Sequence, residues 1–500
     1  MVMSREINVF EASIEQIQSA YRSQGLTVRH VVDAYLRRID AFDQRGPAFN
    51  AMININILAL EEADRQDAEF RGSGRFVGSF HGVPIILKDQ ADLRELPTTL
   101  GSVLFEGYRP NRDCFVAARL REAGAIFLGK STLGELSGGD THGSLFGSTR
   151  NVYDLERTCG GSSGGSAVSV SASYCAAAIG QEGFASIRRP SAWNGIVGMR
   201  PTACLVSRTG VYGCWPSIIG SLGPMARSVK DSAFLLDGMV GYDADDPLTA
   251  HGAGKVPASF LAALEGASLK GIRLGVLKKA IGAGSEPGSE DFRKVDEAFD
   301  RTIGELAAAG AEIVEPIEIP DVHALLAKRA GSSENDEIAF KNWLQATDNP
   351  PYASRADMMR SNLFPQLSMH AQEALKRARP RKAYLEYLDA RDTLMTNFLK
   401  VMADKRLDAL VHKAVEHQPT LISDGVNPPY VNLKGAPHIK TFLVYVPAVA
   451  VPAGFTSDNL PVGVTFLGRP YDDAAMLRYA YAYEQATNHR RPPPLAPALS

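Results

Sequence analysis

The sequence predicts an α/β fold, and three observations carry that reading. Apolar runs of strand length alternate with amphipathic runs of helix length along the whole chain. Strand, helix and strand follow one another in order twice, at 83–129 and at 270–320. No repeat or low-complexity linker interrupts the alternation, so the 500 residues read as one large domain, 1–500, rather than two.

The elements justify themselves in order. Residues 12 to 43 have the periodicity of two amphipathic helices, the second capped by Thr27, with Val28, Val31, Val32, Tyr35, Leu36 and Ile39 at helical spacing. Val83 to Leu87 is a short apolar strand that runs into Lys88. Asp113 is placed to open a helix that Gly124 stops, and "AIFLG" follows as a strand. Ser166 to Ile179 has small side chains throughout and predicts a buried helix. "GIRLGVL", "VDEAFDRTIGELAAAG" and "AEIVEPIEI" predict the second strand, helix and strand. Residues 321–406 read as mainly helical and carry Phe340, Trp343, Met358, Met359, Phe364, Met369 and Met395. That stretch is either a cap over an apolar cleft or plain core. Strands return at "RLDALV", "VPAVAVPAGF" and "PVGVTFLG", before a helix from Asp473 to Asn488.

Composition excludes several classes of function. The net charge is −3 and basic residues are spread rather than blocked, which is no footprint for nucleic acid. The five cysteines form no CxxC pair, so a reducing, cytoplasmic setting is expected. MVMSREINVF has no apolar signal core, and Phe442 to Phe455 is too short and too proline-rich to span a bilayer.

The densest glycine cluster, "CGGSSGGSAVSVS" at 159–171, demands a reason, since glycine is costly to order. A phosphate cradle would need a lysine after the last glycine, and Ser166 stands there. Gly161 to Gly165 matches GxSxG with Ser163 as nucleophile, but the preceding "VYDLERTCG" is polar where that motif needs an apolar strand. A flexible surface turn is the bland alternative.

Three separated stretches resemble the amidase signature family of serine hydrolases. "GVPIILKDQ" looks like that family's lysine strand, "GGSSGGSAVSVS" like its glycine-serine core, and "GFASIRRPSAWNGIVGMRPT" like its nucleophile segment. "TTLGS", "GKSTLGE", "AVPAGF" and "LPVGVTFLGRP" match as well, so the likeness covers roughly 12–235 and 405–490. The resemblance implies a large mixed central β-sheet covered by helices on both faces. It also implies Ser186 as nucleophile, Ser162 on a cis peptide as the bridging residue, and Lys88 as base. Backbone N–H groups of Gly183, Phe184, Ala185 and Ser186 would form the oxyanion hole. The chemistry is coherent, because a serine hydroxyl needs a base and lysine serves only when neutral. The apolar strand before Lys88 is where burial could lower its pKa.

Two stretches depart from the family's pattern. Gln181 to Ser186 reads QEGFAS, where an acid-threonine-glycine-glycine run is usual, so Phe184 is large for its place. "DALVHKAVEHQPT" also departs, since a proline-threonine turn more often follows this strand. Its His412, Glu416 and His417 invite a metal reading but lack a third-ligand pattern, and a surface pair or pocket-lining histidine is expected instead. The function expected is hydrolysis of a carboxamide C–N bond in a small-molecule amide, an aryl amide or carbamate included. No metal, cofactor, nucleic acid or membrane is implied, and a homodimer is left open. The alternatives are a glutaminase-type subunit of a tRNA-dependent amidotransferase and a non-enzymatic nucleotide binder.

Overall fold

Apolar strands that cannot face water on either side must lie between layers of helix, and here they form one sheet of eleven strands. The structure, a computed structural model, describes residues 8–214 and 217–499. The leader reading of the N-terminus therefore falls mostly on residues 1–7, outside the described residues. In chain order the strands are β1 (Met52–Ile55), β2 (Pro84–Lys88), β3 (Ile126–Ser131), β4 (Ala177–Glu182), β5 (Val197–Arg200) and β6 (Ser221–Ala226). They continue as β7 (Arg273–Val276), β8 (Glu312–Val314), β9 (Ala409–Lys413), β10 (Ala448–Phe455) and β11 (Pro461–Leu467). The order across the sheet is β1-β3-β2-β4-β6-β5-β10-β11-β9-β7-β8. β3, β2 and β4 are mutually parallel, as are β9, β7 and β8, while antiparallel strands fill the space between, so the sheet is mixed. The register sets Ile85, Ile86 and Leu87 opposite Ala177, Ala178 and Ile179, which brings the ends of β2 and β4 together.

Most predicted elements form where their periodicity places them. Thr27 caps Val28–Phe42 by accepting from His30 N. Two expectations need correction. The helix expected at 166–179 stops at Ser171, and Ala177–Glu182 is strand β4 instead. Alanine and glycine side chains suit a close-packed strand as well as a helix, so small size alone could not separate them. Asp113 does not open the next helix, which runs Phe115–Glu122 behind Cys114. Its carboxylate accepts instead from Arg94 N and Arg121 Nε, both at 3.0 Å.

Residues 321–406 contain the helices Val322–Leu326, Ser333–Leu344, Arg355–Arg360, Met369–Lys376 and Arg381–Asp404. Phe340, Trp343, Met358 and Phe364 are buried against Leu100, Leu104, Phe105 and Tyr108, so these aromatics and methionines are core. Met359 and Met369 are exposed. No helix among the described residues is long and apolar enough to cross a membrane.

Candidate active site

Lys88 ends the all-buried strand β2, and its side chain is itself fully buried. Its Nζ donates to Ser162 Oγ at 2.8 Å and to the Gln181 carbonyl at 3.3 Å. Burial lowers its pKa to about 7, with Cys214 and Glu182 opposing more weakly. A lysine in that range is neutral in useful proportion near neutral pH, which a proton acceptor requires.

Ser162 lies just before the helix Gly164–Ser171, and the peptide joining it to Gly161 is cis. The glycines around it answer to close packing. A Cβ on Gly161 would stand 2.5 Å from the Gly139 carbonyl oxygen, and one on Gly164 would overlap Thr141 Oγ1 and Cys159 Sγ. Gly134 N donates to the Ser162 carbonyl at 3.0 Å, and Arg189 Nη2 donates to the Gly161 carbonyl at 3.1 Å. Arg189 is itself held by an ion pair with Asp140 and lies over the Trp193 ring. The competing GxSxG reading loses ground here. Ser163 Oγ donates to the Gln181 carbonyl at 3.1 Å and accepts from Gln181 N at 3.2 Å, a hydroxyl tied into the fold.

Ser186 stands in the turn between β4 and the helix Arg188–Trp193. Ser162 Oγ donates to Ser186 Oγ at 3.0 Å, which completes a chain from Nζ through two hydroxyls. Of the three groups only Ser186 meets solvent, at 7% against 0% for Lys88 and Ser162, so it alone can meet a substrate. The turn is stapled from behind. Glu182 Oε2 accepts from Ile187 N and Arg188 N, both at 3.0 Å, while Oε1 pairs with Arg188 Nε at 2.8 Å. The N–H groups of Gly183, Phe184, Ala185 and Ser186 have no partner among the described residues. They are four donors in the same turn as the Ser186 hydroxyl. The half-buried Phe184 ring stacks on His438 at 4.6 Å between centroids.

The structure thus brings Lys88, Ser162 and the 183–186 turn together at the ends of parallel strands, where ligands commonly bind in α/β sheets. It does not bring His412, Glu416 and His417 into a shared site, and the expected surface pair is corrected, because all three are buried. Glu416 accepts from Ile281 N and Gly282 N at 2.7 and 2.9 Å and serves as a backbone clamp. His412 is held neutral by burial, with a pKa near 3. Among the described residues no group of three or more His, Cys, Asp or Glu is arranged for a metal ion. A cavity of about 270 Å³ adjoins Asp140, His370 and Glu373, but none of Lys88, Ser162 or Ser186 lines it. Sequence reasoning gave no role to Glu182, Arg188, Arg189 or Asp140. The only signal was their charge beside two serine-bearing turns.

A family model described as Amidase matches residues 30–477. The A subunit of glutamyl-tRNA(Gln) amidotransferase from Methanosarcina barkeri (strain Fusaro / DSM 804) is 31% identical over 472 residues, covering 89% of this chain and 93% of that protein. Native peptide amidase from Stenotrophomonas maltophilia superposes with a TM-score of 0.83 at 31% identity, over 97% of this chain and 99% of that one. The corresponding glutamyl-tRNA(Gln) amidotransferase subunit from Thermotoga maritima superposes with a TM-score of 0.71 at 26% identity, over 98% of each chain.

Proposed function

The chain belongs to the amidase family and is a carbon–nitrogen bond hydrolase, and from that premise we propose that it cleaves small-molecule amides by acyl transfer through Ser186. The observation that carries this is the Lys88–Ser162–Ser186 chain at 2.8 and 3.0 Å, with only its last hydroxyl open to solvent. With Lys88 neutral, Ser186 Oγ attacks the carbonyl carbon. Its proton passes to Ser162 Oγ as the Ser162 proton passes to Nζ. The N–H groups of residues 183–186 hold the oxyanion, the proton returns along the same path to the leaving amine, and water then frees the acid.

In this reading the chain is a single domain whose 321–406 segment covers the cleft, supported by the contact of Arg329 with the Phe184 ring. Its five cysteines, all unpaired and buried, suit a reducing cytoplasm. No nucleic acid or membrane enters the reaction, and a homodimer is compatible with it.

A second reading is a glutaminase-type subunit of a tRNA-dependent amidotransferase. The Methanosarcina barkeri relative, itself one subunit of an amidotransferase, speaks for it more strongly than for a free-standing amidase. The superposition favours the peptide amidase over the amidotransferase subunit. Purified chain incubated with simple amides and with glutamine separates the two. Turnover of simple amides without partners supports the first reading, and glutamine turnover alone supports the second. For either, a fluorophosphonate should label Ser186, and Ser186→Ala should lower kcat by on the order of 10⁵–10⁶. A label mapped to Ser163 would remove the assignment.

A further inference from the structure

The Phe184 ring stands next to the N–H groups that would receive the carbonyl oxygen, so whatever touches that ring lies within reach of the substrate's flanks. One side of the contact is His438, whose ring is nearly parallel to Phe184 at 11°. The other is Arg329, from the turn after the helix Val322–Leu326, with its guanidinium carbon 4.8 Å from the Phe184 centroid. His438 brings no charge of its own, since burial and then Arg329 lower its pKa to about 4.

Arg329 is an unusual cation. Its side chain is exposed to solvent, yet enough protein surrounds it for desolvation to lower its pKa. Tyr387 partly offsets that effect, while Arg379 and Arg377 add repulsion between like charges. Arg379 has Asp336 as a partner. Arg329 has no carboxylate partner among the described residues. A guanidinium that rests its face on an aromatic ring keeps its N–H edge free, and that edge matches a carboxylate with two parallel hydrogen bonds. A partly desolvated cation without a carboxylate partner, exposed to solvent beside the Phe184 ring of the reacting turn, lacks only an anion.

We propose that Arg329 is a specificity-determining residue that binds a carboxylate on the substrate, so that the preferred substrates are amides bearing a free carboxylate on the acyl or the amine part. The inference rests on the reading of Ser186 as nucleophile. The plain alternative is that Arg329 only packs Phe184 in place.

Two matched pairs test it, one for each side of the scissile bond. They are succinamic acid against butyramide, and 4-acetamidobenzoate against 4-methylacetanilide. In the wild-type protein one acid should exceed its neutral partner in kcat/KM by roughly tenfold to a hundredfold, the range for a charge-assisted contact. Arg329→Met should bring that ratio close to one, chiefly through KM, and Arg329→Lys should restore part of it. Equal handling of acid and neutral partner in both pairs overturns the proposal, as does an Arg329→Met protein that slows both partners alike. Fluorophosphonate labelling of Ser186 in the same preparations keeps the two levels apart. Labelling without a carboxylate preference sinks this inference alone. If neither label nor turnover is seen, the nucleophile reading fails. Calorimetric titration of the two acids into Ser186→Ala protein, with and without Arg329→Met, then decides the carboxylate site by itself. Binding that depends on Arg329 upholds it, and binding indifferent to Arg329, or none, rejects it.

Discussion

Lys88 shows what one residue gives up in stability to be useful. Its ammonium is fully buried, and burial lowers its pKa from the ordinary 10.5 to about 7. A lysine whose folded pKa is depressed binds fewer protons in the fold than in the unfolded chain between those two values. The fold therefore loses stability as pH falls from about 10.4 towards 7, and the loss is constant below that. The same shift makes the amine a base, so kcat/KM should climb with pH and level off above about 7. Lys88→Met should then lose amide turnover and gain stability. The gain should be about 2–3 kcal/mol larger at pH 6 than at pH 9. Urea denaturation of both proteins at the two pH values measures it. A stability difference that does not change with pH would mean the amine stays charged in the fold, and the base assignment would go with it.

At the scale of the element, the turn between β4 and the next helix depends on one carboxylate more than on its own residues. Glu182 accepts the N–H groups of Ile187 and Arg188 and pairs with the fully buried Arg188 guanidinium. Glu182→Gln leaves that guanidinium buried without a counter-charge, a change that costs about 3–5 kcal/mol. We expect a lower melting temperature and slower fluorophosphonate labelling of Ser186 at a temperature where the variant is still folded. Unchanged labelling would mean the turn holds its shape without the staple. This element also shows what a sequence can and cannot display. Strands such as Pro84–Lys88 and Pro461–Leu467 announce themselves as apolar runs, and Thr27 announces a helix start. The Ser186 turn has no periodicity, and only likeness to a family singled it out. Ala177–Glu182 hid inside a run of small residues that reads equally well as helix. Glu182 reaches its partners five and six residues ahead around a bend, a spacing that neither helix nor strand patterns reveal.

For the whole molecule, local pattern foretold the most apolar strands but not Met52–Ile55, Ala177–Glu182, Val197–Arg200 or Ser221–Ala226, and not the order of any. Lys88 and Ser186 meet because β2 and β4 are parallel neighbours, a pairing of segments about ninety residues apart that no local pattern records. The buried ionisable groups likewise act only in sum. Burial raises Asp92 and Glu484 to about 7, so each favours the fold less as pH rises from about 4 to 7. Burial lowers His412 to about 3 and His438 to about 4, so each favours it more as pH rises towards about 6.5, where the gain is complete. Asp43, Asp89, Asp231 and Asp473, also raised by burial, side with the two acids, and His81, His142 and His370, also lowered by burial, side with the two histidines, so the two sets oppose each other in mildly acidic solution. Above pH 7 the buried amines take over: Lys88 is neutral in the fold while the unfolded lysine still holds its proton, so it adds stability as pH rises, and Lys440, also lowered by burial, acts in the same sense. The cysteines act in the opposite sense. Burial raises Cys114, Cys159 and Cys175 to about 12 and Cys214 to about 11, so above roughly pH 8.5 the unfolded thiols ionise and the folded ones do not. Stability should therefore rise by roughly 2–3 kcal/mol from pH 7 towards pH 8.5 and fall beyond it. Urea midpoints at pH 7, 8.5 and 10 trace that curve, and a midpoint lower at 8.5 than at 7 would contradict it. In Lys88→Met the rise should shrink to the share that Lys440 supplies, which ties the stability of the whole fold to the group that drives its chemistry.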